Sequence, residues 1–238
     1  MQKLGILWGV SVGTGDPELL TLKALNCLQR VPVVAFPAGL RGQPGIAEEI
    51  IRPYLQPEQI TLALTFPYVL DTDVLAQAWQ RAAATVWDYL RQGRDVAFAC
   101  EGDISFYSTF TYLAQTLQAQ HPEVLIQRIP GVSSPMVAAS VLGLPLTMQD
   151  QRLAVLPALY HPQELEQALD WADVIVLMKV RLVYGQVWSI LAARELLGQA
   201  WLVERASTPG EKIYHPLDGY PELTLSYFSL LIIQNPRH

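Results

Sequence analysis

Gly9-Val10-Ser11-Val12-Gly13-Thr14-Gly15-Asp16-Pro17-Glu18-Leu19-Leu20-Thr21 decides how this chain is to be read. It closes an apolar run at residues 4–12 that has the length of a strand, and its glycines permit a tight turn. Asp16-Pro17 then starts a helix well, Asp as the N-cap and Pro in the first turn, and residues 18–28 continue with helical spacing. A strand, a glycine-rich turn and a helix open an α/β unit, and in such units ligands bind beyond the carboxyl ends of the strands. Two familiar phosphate loops do not fit. A dinucleotide fingerprint counted from Gly13 needs glycine where Glu18 stands, and an acid at the end of the next strand, where Phe36-Pro37 stands. A Walker loop needs Gly-Lys-Ser/Thr after the glycines, and none follows.

Working outward, strand-like and helix-like runs alternate. Strands are expected at residues 31–36, 95–100 and 124–129, and helices at 71–91 and 108–118. The helix at 71–91 is the clearest, because Val74, Leu75, Ala78, Trp79, Ala82, Val86 and Leu90 recur at three- and four-residue intervals. This βαβα rhythm predicts a mostly parallel sheet covered by helices. Further on, strands are expected at 153–156, 174–180, 201–205 and 224–233, with helices at 162–170 and 183–197. The reading is two α/β domains, 1–120 and 121–238, with the boundary set by Pro122 and free to move within 115–150.

Composition bounds the rest. Of 238 residues 51% are hydrophobic and 16% charged, the reverse of a disordered chain. No apolar run approaches the roughly 18 residues of a membrane span, and residues 1–9 lack a signal-peptide core. Cys27 and Cys100 are too sparse for a disulfide framework, so a reduced, cytoplasmic protein is expected. The net charge of −6 argues against a nucleic-acid partner. Twelve of the 16 basic residues are Arg, whose planar fork grips carboxylates, although drift in composition would produce the same bias.

Two more loops sit at strand ends. In Glu101-Gly102-Asp103-Ile104-Ser105-Phe106-Tyr107-Ser108-Thr109, Asp103 either accepts ribose hydroxyl hydrogen bonds or caps the next helix. In Pro130-Gly131-Val132-Ser133-Ser134-Pro135, the hydroxyls either touch a ligand or cap a helix. His121, His161 and His215 precede or neighbour prolines and His238 ends the chain, so no helical metal pair forms and no metal is expected. No Gly-x-Ser-x-Gly elbow occurs, and both cysteines read as core residues, so no covalent nucleophile is expected.

Taken in order, Gly13-Thr14-Gly15-Asp16-Pro17-Glu18-Leu19-Leu20-Thr21-Leu22-Lys23-Ala24, Gly102-Asp103 and Pro130-Gly131-Val132-Ser133-Ser134 resemble the three motifs of the tetrapyrrole (corrin/porphyrin) methylases. Met178-Lys179, Val203-Glu204-Arg205-Ala206 and Tyr227-Phe228-Ser229-Leu230 extend the resemblance over nearly the whole chain. Tyr107-Ser108-Thr109, Gly143-Leu144-Pro145-Leu146, Thr208-Pro209-Gly210-Glu211 and Tyr227-Phe228-Ser229 are similar to the precorrin-2 C(20)-methyltransferase branch. The resemblance implies the class III methyltransferase fold, with two α/β domains and an active site in the cleft between them. It implies S-adenosyl-L-methionine as methyl donor, released as S-adenosyl-L-homocysteine, and methylation of precorrin-2 or cobalt-factor II at carbon 20 in cobalamin synthesis. It also implies a homodimer.

Carried over by position, the resemblance assigns the cofactor to Thr14, Gly102, Asp103, Phe106, Ser133 and Ser134, with Met178 and Ala206 flanking adenine. The chain departs from the family pattern where Thr14 replaces the usual Pro, where Ser11 replaces the usual Gly, and where Lys179-Val180-Arg181-Leu182 lacks a glycine. Such substrates carry several carboxylates, for which Arg128, Lys179, Arg181 and Arg205, and also Arg152 and Lys23, are candidates. Asp16, Glu18 and Glu101 are the candidates for accepting the proton. A carboxylate beside the sulfonium would stabilise the ground state more than a transition state that is losing its charge, so Asp103 is expected at ribose rather than at sulfur. Uroporphyrinogen-III methylation is the alternative within the family. A non-catalytic nucleotide-binding module is the alternative outside it.

Overall fold

β1 (Leu7–Ser11) is almost wholly buried, as expected of a parallel strand covered on both faces. The computed structural model describes residues 3–39, 43–67, 69, 71–159 and 161–236; Met1, Gln2 and His238, used in the sequence reading, lie outside these. After β1 come α1 (Leu22–Arg30), β2 (Val33–Pro37), α2 (Ile46–Ile51), β3 (Ile60–Leu64), α3 (Thr72–Leu90), β4 (Val96–Cys100), α4 (Phe110–Gln120) and β5 (Ile126–Ile129). All five strands pair parallel in the order β3-β2-β4-β1-β5.

Each strand sends alternate side chains to opposite faces. Val96, Phe98 and Cys100 of β4 pack with Val86 and Leu90 of α3 and Leu113 and Leu117 of α4. Ala97 and Ala99 pack with Cys27 and Leu28 of α1 and Ile50 and Ile51 of α2. The chain therefore leaves the adjacent strands β1 and β4 toward opposite faces. Such a reversal opens a crevice beyond the carboxyl ends of the two strands.

Contacts group the chain into two units, Met1–Ser133 and Ser134–His238. The sequence reading cut at 120/121; β5 lies beyond that point and is hydrogen-bonded to β1, with Leu7 opposite Ile126 and Val10 opposite Ile129. The first unit thus runs on to Ser133. The second contains α5 (Ser134–Leu142), β6 (Leu153–Leu156), α6 (Pro162–Trp171), β7 (Val174–Met178), α7 (Tyr184–Ala193), β8 (Ala200–Glu204), β9 (Lys212–Tyr214) and β10 (Ser229–Gln234). Its sheet, in the order β6-β7-β10-β8-β9, is mixed: β6 and β7 are parallel, and β10 runs antiparallel to both β7 and β8. One face packs on α6 and α7, and the other on Ala138 and Ala139 of α5.

Several expected elements differ: the strand expected at 174–180 ends at Met178, the helix expected at 183–197 ends at Ala193, and two more depart at their starts. Residues 17–19 form a 3-10 turn capped by Asp16, and α1 starts only after Thr21 accepts a hydrogen bond from Ala24 N–H. Leu20, whose N–H closes the first turn on Pro17 O, is extended, and so is Thr21, the N-cap of α1. The last strand begins at Ser229 rather than at residue 224, since Ser226 N–H is taken by the Glu204 carboxylate instead of a strand ladder. The short elements α2, β3 and β9 were not anticipated, being too brief for a periodic pattern.

Candidate functional site

The first turn is built by backbone alone. Val12 N–H donates to the Cys100 carbonyl at 3.0 Å, which carries β1–β4 pairing one residue past the strand. Gly13 and Gly102 then face each other in an antiparallel bridge, Gly102 N–H donating to Gly13 O at 2.6 Å and Gly13 N–H to Gly102 O at 3.3 Å. Their φ values, +75° and +72°, lie in the left-handed region that favours glycine. A Cβ on Gly102 would meet nothing within 4 Å, so the space above it is open. Thr14, half-buried, follows the bridge directly.

Asp103 comes next and joins two loops. Its Oδ2 accepts Gly131 N–H at 2.7 Å, and its Oδ1 accepts Ser105 N–H at 2.8 Å together with the Ser105 hydroxyl. Burial pushes the carboxyl up, but the bonds from Gly131 and Ser105 outweigh it and hold Asp103 below its ordinary value. The capping alternative is not what occurs: α4 starts at Phe110, whose N–H is met by Ser108 Oγ at 3.2 Å. A carboxylate offers about four lone-pair sites, so Asp103 keeps capacity for a further donor. Phe106 is half-buried with its ring edge-on to Tyr107, centroids 4.7 Å apart. Ser133, nearly buried, closes the first unit, and Ser134 opens α5 of the second.

In the second unit, register brings the named residues to one end of the sheet. Met178 and Val203 both stand opposite Leu230, one on each side, so the carboxyl ends of β7 and β8 lie together. Met178 and Ala206 pack on the same apolar cluster with Val203 and Leu230. Lys179 and Arg205 emerge there with left-handed backbones (φ 55° and 48°) held by Lys179 N–H to Ser229 O at 3.0 Å and Arg205 N–H to Phe228 O at 2.8 Å. Lys179 Nζ lies 5.7 Å from the Tyr227 ring centre, a cation–π distance. Arg181 is exposed in the turn that follows.

Other candidates lie elsewhere. Arg152 precedes β6 and bonds Asp173, which precedes β7, at 3.4 Å. It therefore sits at the amino ends of these strands, not with Lys179 and Arg205. Arg128, on β5, places its guanidinium 5.6 Å from the Phe110 ring centre. Lys23 is exposed on α1. Of the acids, Asp16 accepts Glu18 N–H at 2.8 Å, Glu18 is exposed and Glu101 is half-buried. Burial pushes Cys27 up to about 11 and Cys100 up to about 12, both far from a reactive thiolate. Among the described residues no cluster of three His, Cys, Asp or Glu side chains could hold a metal, and no helix is long and apolar enough to cross a membrane.

Two buried polar residues have partners that the sequence reading did not assign. Ser11, fully buried, was noted only as a departure from a pattern. Glu204, 5% exposed, accepts the Tyr214 hydroxyl at 3.0 Å and Ser226 N–H. The signal available for each was a polar residue at the end of an otherwise apolar strand. The Glu204 carboxylate and burial push Tyr214 up, burial first, so its hydroxyl stays a donor.

Fold and site together define a two-unit α/β protein with a crevice at the strand ends of its first unit and an apolar sheet end flanked by cations in its second. Residues 6–218 match the family of tetrapyrrole (corrin/porphyrin) methylases. The chain is 36% identical to the cobalamin biosynthesis protein CobIJ of Mycobacterium tuberculosis (strain ATCC 25618 / H37Rv), over 100% of this chain and 47% of that protein, so it spans about half the length of that relative. It is 31% identical to the cobalt-precorrin-2 C(20)-methyltransferase of Salmonella typhimurium, over 96% of each. Its fold resembles uroporphyrin-III C-methyltransferase of Thermus thermophilus, solved with S-adenosylhomocysteine, at a TM-score of 0.66 and 21% identity over 96% of this chain and 97% of that one. This chain belongs to the tetrapyrrole (corrin/porphyrin) methylase family.

Proposed function

We infer that the protein is an S-adenosyl-L-methionine-dependent methyltransferase acting on carbon 20 of precorrin-2 or cobalt-factor II in cobalamin biosynthesis. The observation that carries the reading is the crevice beyond β1 and β4. There two left-handed glycines leave open space over Gly102, beside a carboxylate held in its charged form. That arrangement fits a nucleoside. Backbone groups at Gly13, Thr14 and Gly102 approach the ligand closely, and the Asp103 lone pair left over from Gly131 and the two Ser105 donors accepts a ribose hydroxyl. Phe106, Ser133 and Ser134 belong to the same cofactor assignment, as do Met178 and Ala206, which offer an apolar surface suited to an adenine face. The C(20) name of a relative matched along 96% of its length favours this branch over uroporphyrinogen-III methylation.

The bound donor supplies an electrophilic methyl group on a positively charged sulfur. Bound there, the donor would pass its methyl in line to an electron-rich carbon of the reduced tetrapyrrole, the C–S electron pair staying on sulfur, and carbon 20 would then lose its proton. The protein needs no nucleophile of its own. It orients the partners, and proximity of this kind can be worth roughly 7–11 kcal/mol of the barrier. Lys179, Arg205, Arg181 and Arg128 are the groups proposed for the substrate carboxylates, and Asp16, Glu18 and Glu101 those for the proton. Two free, buried thiols support a reducing cytoplasmic setting, and the family resemblance supports a homodimer. Neither a membrane nor a nucleic acid has a part in the reading.

Incubation with S-adenosyl-L-methionine and each of precorrin-2 and cobalt-factor II, followed by NMR location of the new methyl, tests it. Release of S-adenosyl-L-homocysteine with a methyl at carbon 20 is expected. A methyl on another carbon sinks the branch assignment, and no turnover with either substrate favours the non-catalytic module.

A further inference from the structure

The Ser11 hydroxyl, 0% exposed at the end of β1, makes two hydrogen bonds to segments far apart in the chain. It donates to the Ile129 carbonyl at 2.8 Å, at the end of β5. It accepts Ile104 N–H at 2.7 Å, in the loop after β4. Between these two points Asp103 binds Gly131 N–H at 2.7 Å. Ser11, Ile104, Asp103, Gly131 and Ile129 thus close a ring of contacts beneath the crevice, with Ser11 on the buried side and Asp103 on the side nearer solvent. Packing reinforces the ring: a Cβ on Gly131 would lie 2.4 Å from Ser11 Cβ and 3.2 Å from Gly102 O. Ser11 therefore fills the space that makes glycine necessary at 131.

We propose that Ser11 is a positioning residue: its buried hydroxyl sets the register of the Asp103 and Gly131 loops and thereby aims the Asp103 carboxylate at the cofactor ribose. The proposal rests on the cofactor reading above. Ser11 touches no ligand and acts only through Asp103. Removing the hydroxyl takes from the buried Ile104 N–H the acceptor it has at 2.7 Å, and the loop after β4 relaxes to find another. The binding-competent arrangement is then a fraction of the whole, and apparent affinity falls by that fraction.

The test compares wild type, Ser11→Ala, Ser11→Gly, Gly131→Ala and the double variant Ser11→Gly/Gly131→Ala in the full chain. S-adenosyl-L-homocysteine affinity is measured by calorimetry, amide exchange at Ile104 by NMR, and KM and kcat with precorrin-2. Ser11→Ala is expected to weaken S-adenosyl-L-homocysteine by about tenfold, the scale of one unmade buried hydrogen bond. It is expected to raise KM for S-adenosyl-L-methionine while kcat at saturation stays near wild type. Ile104 N–H exchanges faster while the β4 amides do not change. A merely structural role gives the opposite split, a lower kcat from a smaller active fraction with KM unchanged. Gly131→Ala lowers the thermal midpoint more when residue 11 is Ser than when it is Gly, because only Ser presents the opposing Cβ. Unchanged affinity and KM in Ser11→Ala overturn the proposal, as do equal Gly131→Ala penalties in the two backgrounds. Failure of wild type to bind S-adenosyl-L-homocysteine overturns the cofactor reading and takes the positioning role with it, whereas the other two results overturn the positioning role alone.

Discussion

Asp103 and Gly131 lie 28 residues apart and are joined by a 2.7 Å hydrogen bond from the Gly131 N–H to the Asp103 carboxylate. That bond links the loop after β4 to the loop after β5, and it turns what reads in the sequence as two separate motifs into one surface. Asp103→Ala removes both the link and the proposed ribose acceptor. It should weaken S-adenosyl-L-homocysteine by tenfold or more, about the scale of a hydrogen bond to a charged group. Calorimetry giving wild-type affinity would remove Asp103 from the site.

The same carboxylate predicts an acid dependence. Its folded value lies below the ordinary one of 3.8, so its contribution to stability is complete above that value and is lost as pH falls through the folded value. Urea unfolding followed from pH 6 to pH 3 should show a shallower acid decline in Asp103→Asn than in wild type. Parallel curves would mean that Asp103 gains nothing from its partners.

Glu204 is a buried acid whose partners are the Tyr214 hydroxyl and Ser226 N–H, both neutral. Glu204→Ala leaves both donors unmet and opens a void at the end of β8. The expected loss of stability is about 2–4 kcal/mol, whereas Glu204→Gln, which keeps one acceptor, loses less. Equal denaturant midpoints for the two variants would show that the hydrogen bonds contribute little.

Gly9 sits in β1 where a Cβ would come within 2.5 Å of the buried Phe110 ring. Gly9→Ala overpacks the β1–α4 contact and should cost about 1–3 kcal/mol. A thermal midpoint equal to that of wild type would mean that the ring moves aside freely.

Cys27 and Cys100, pushed up by burial to about 11 and about 12, should not react with a disulfide reagent at pH 8 until the protein unfolds. Fast labelling of the native protein would contradict their burial.

The sequence was most legible where a single element carries its own start, stop and face. Residues 71–91 read as a helix, and α3 spans Thr72–Leu90 with Asp71 as N-cap, accepting Asp73 and Val74 N–H, and Arg91 as C-cap. Ala78, Ala82, Val86 and Leu90, chosen for their spacing, are buried there. β6 appears where the apolar run at 153–156 predicted it. Reading failed where one residue's partner lies far along the chain. The expected strand at 224–233 lost its first five residues because the Glu204 carboxylate, 22 positions earlier, takes Ser226 N–H. Arg152 looked like a loop cation, yet it pairs with Asp173, 21 positions away, at the amino end of its strand.

Local chemistry written in the sequence determined the α/β class, the glycine turn after the first strand, the helix caps and the motifs that mark the family. Those depend on backbone freedom, side-chain period and short-range capping, all set within a few residues. Only the tertiary structure decided that Ser11 bonds both Ile129 and Ile104, that Asp103 accepts Gly131 N–H from the loop after β5, and that Met178, Lys179, Arg205 and Ala206 share one end of the sheet. The physical reason is strand order. With β1 seated between β4 and β5, residues about 90 and 120 positions apart meet at hydrogen-bond distance, and no local pattern encodes which strands become neighbours.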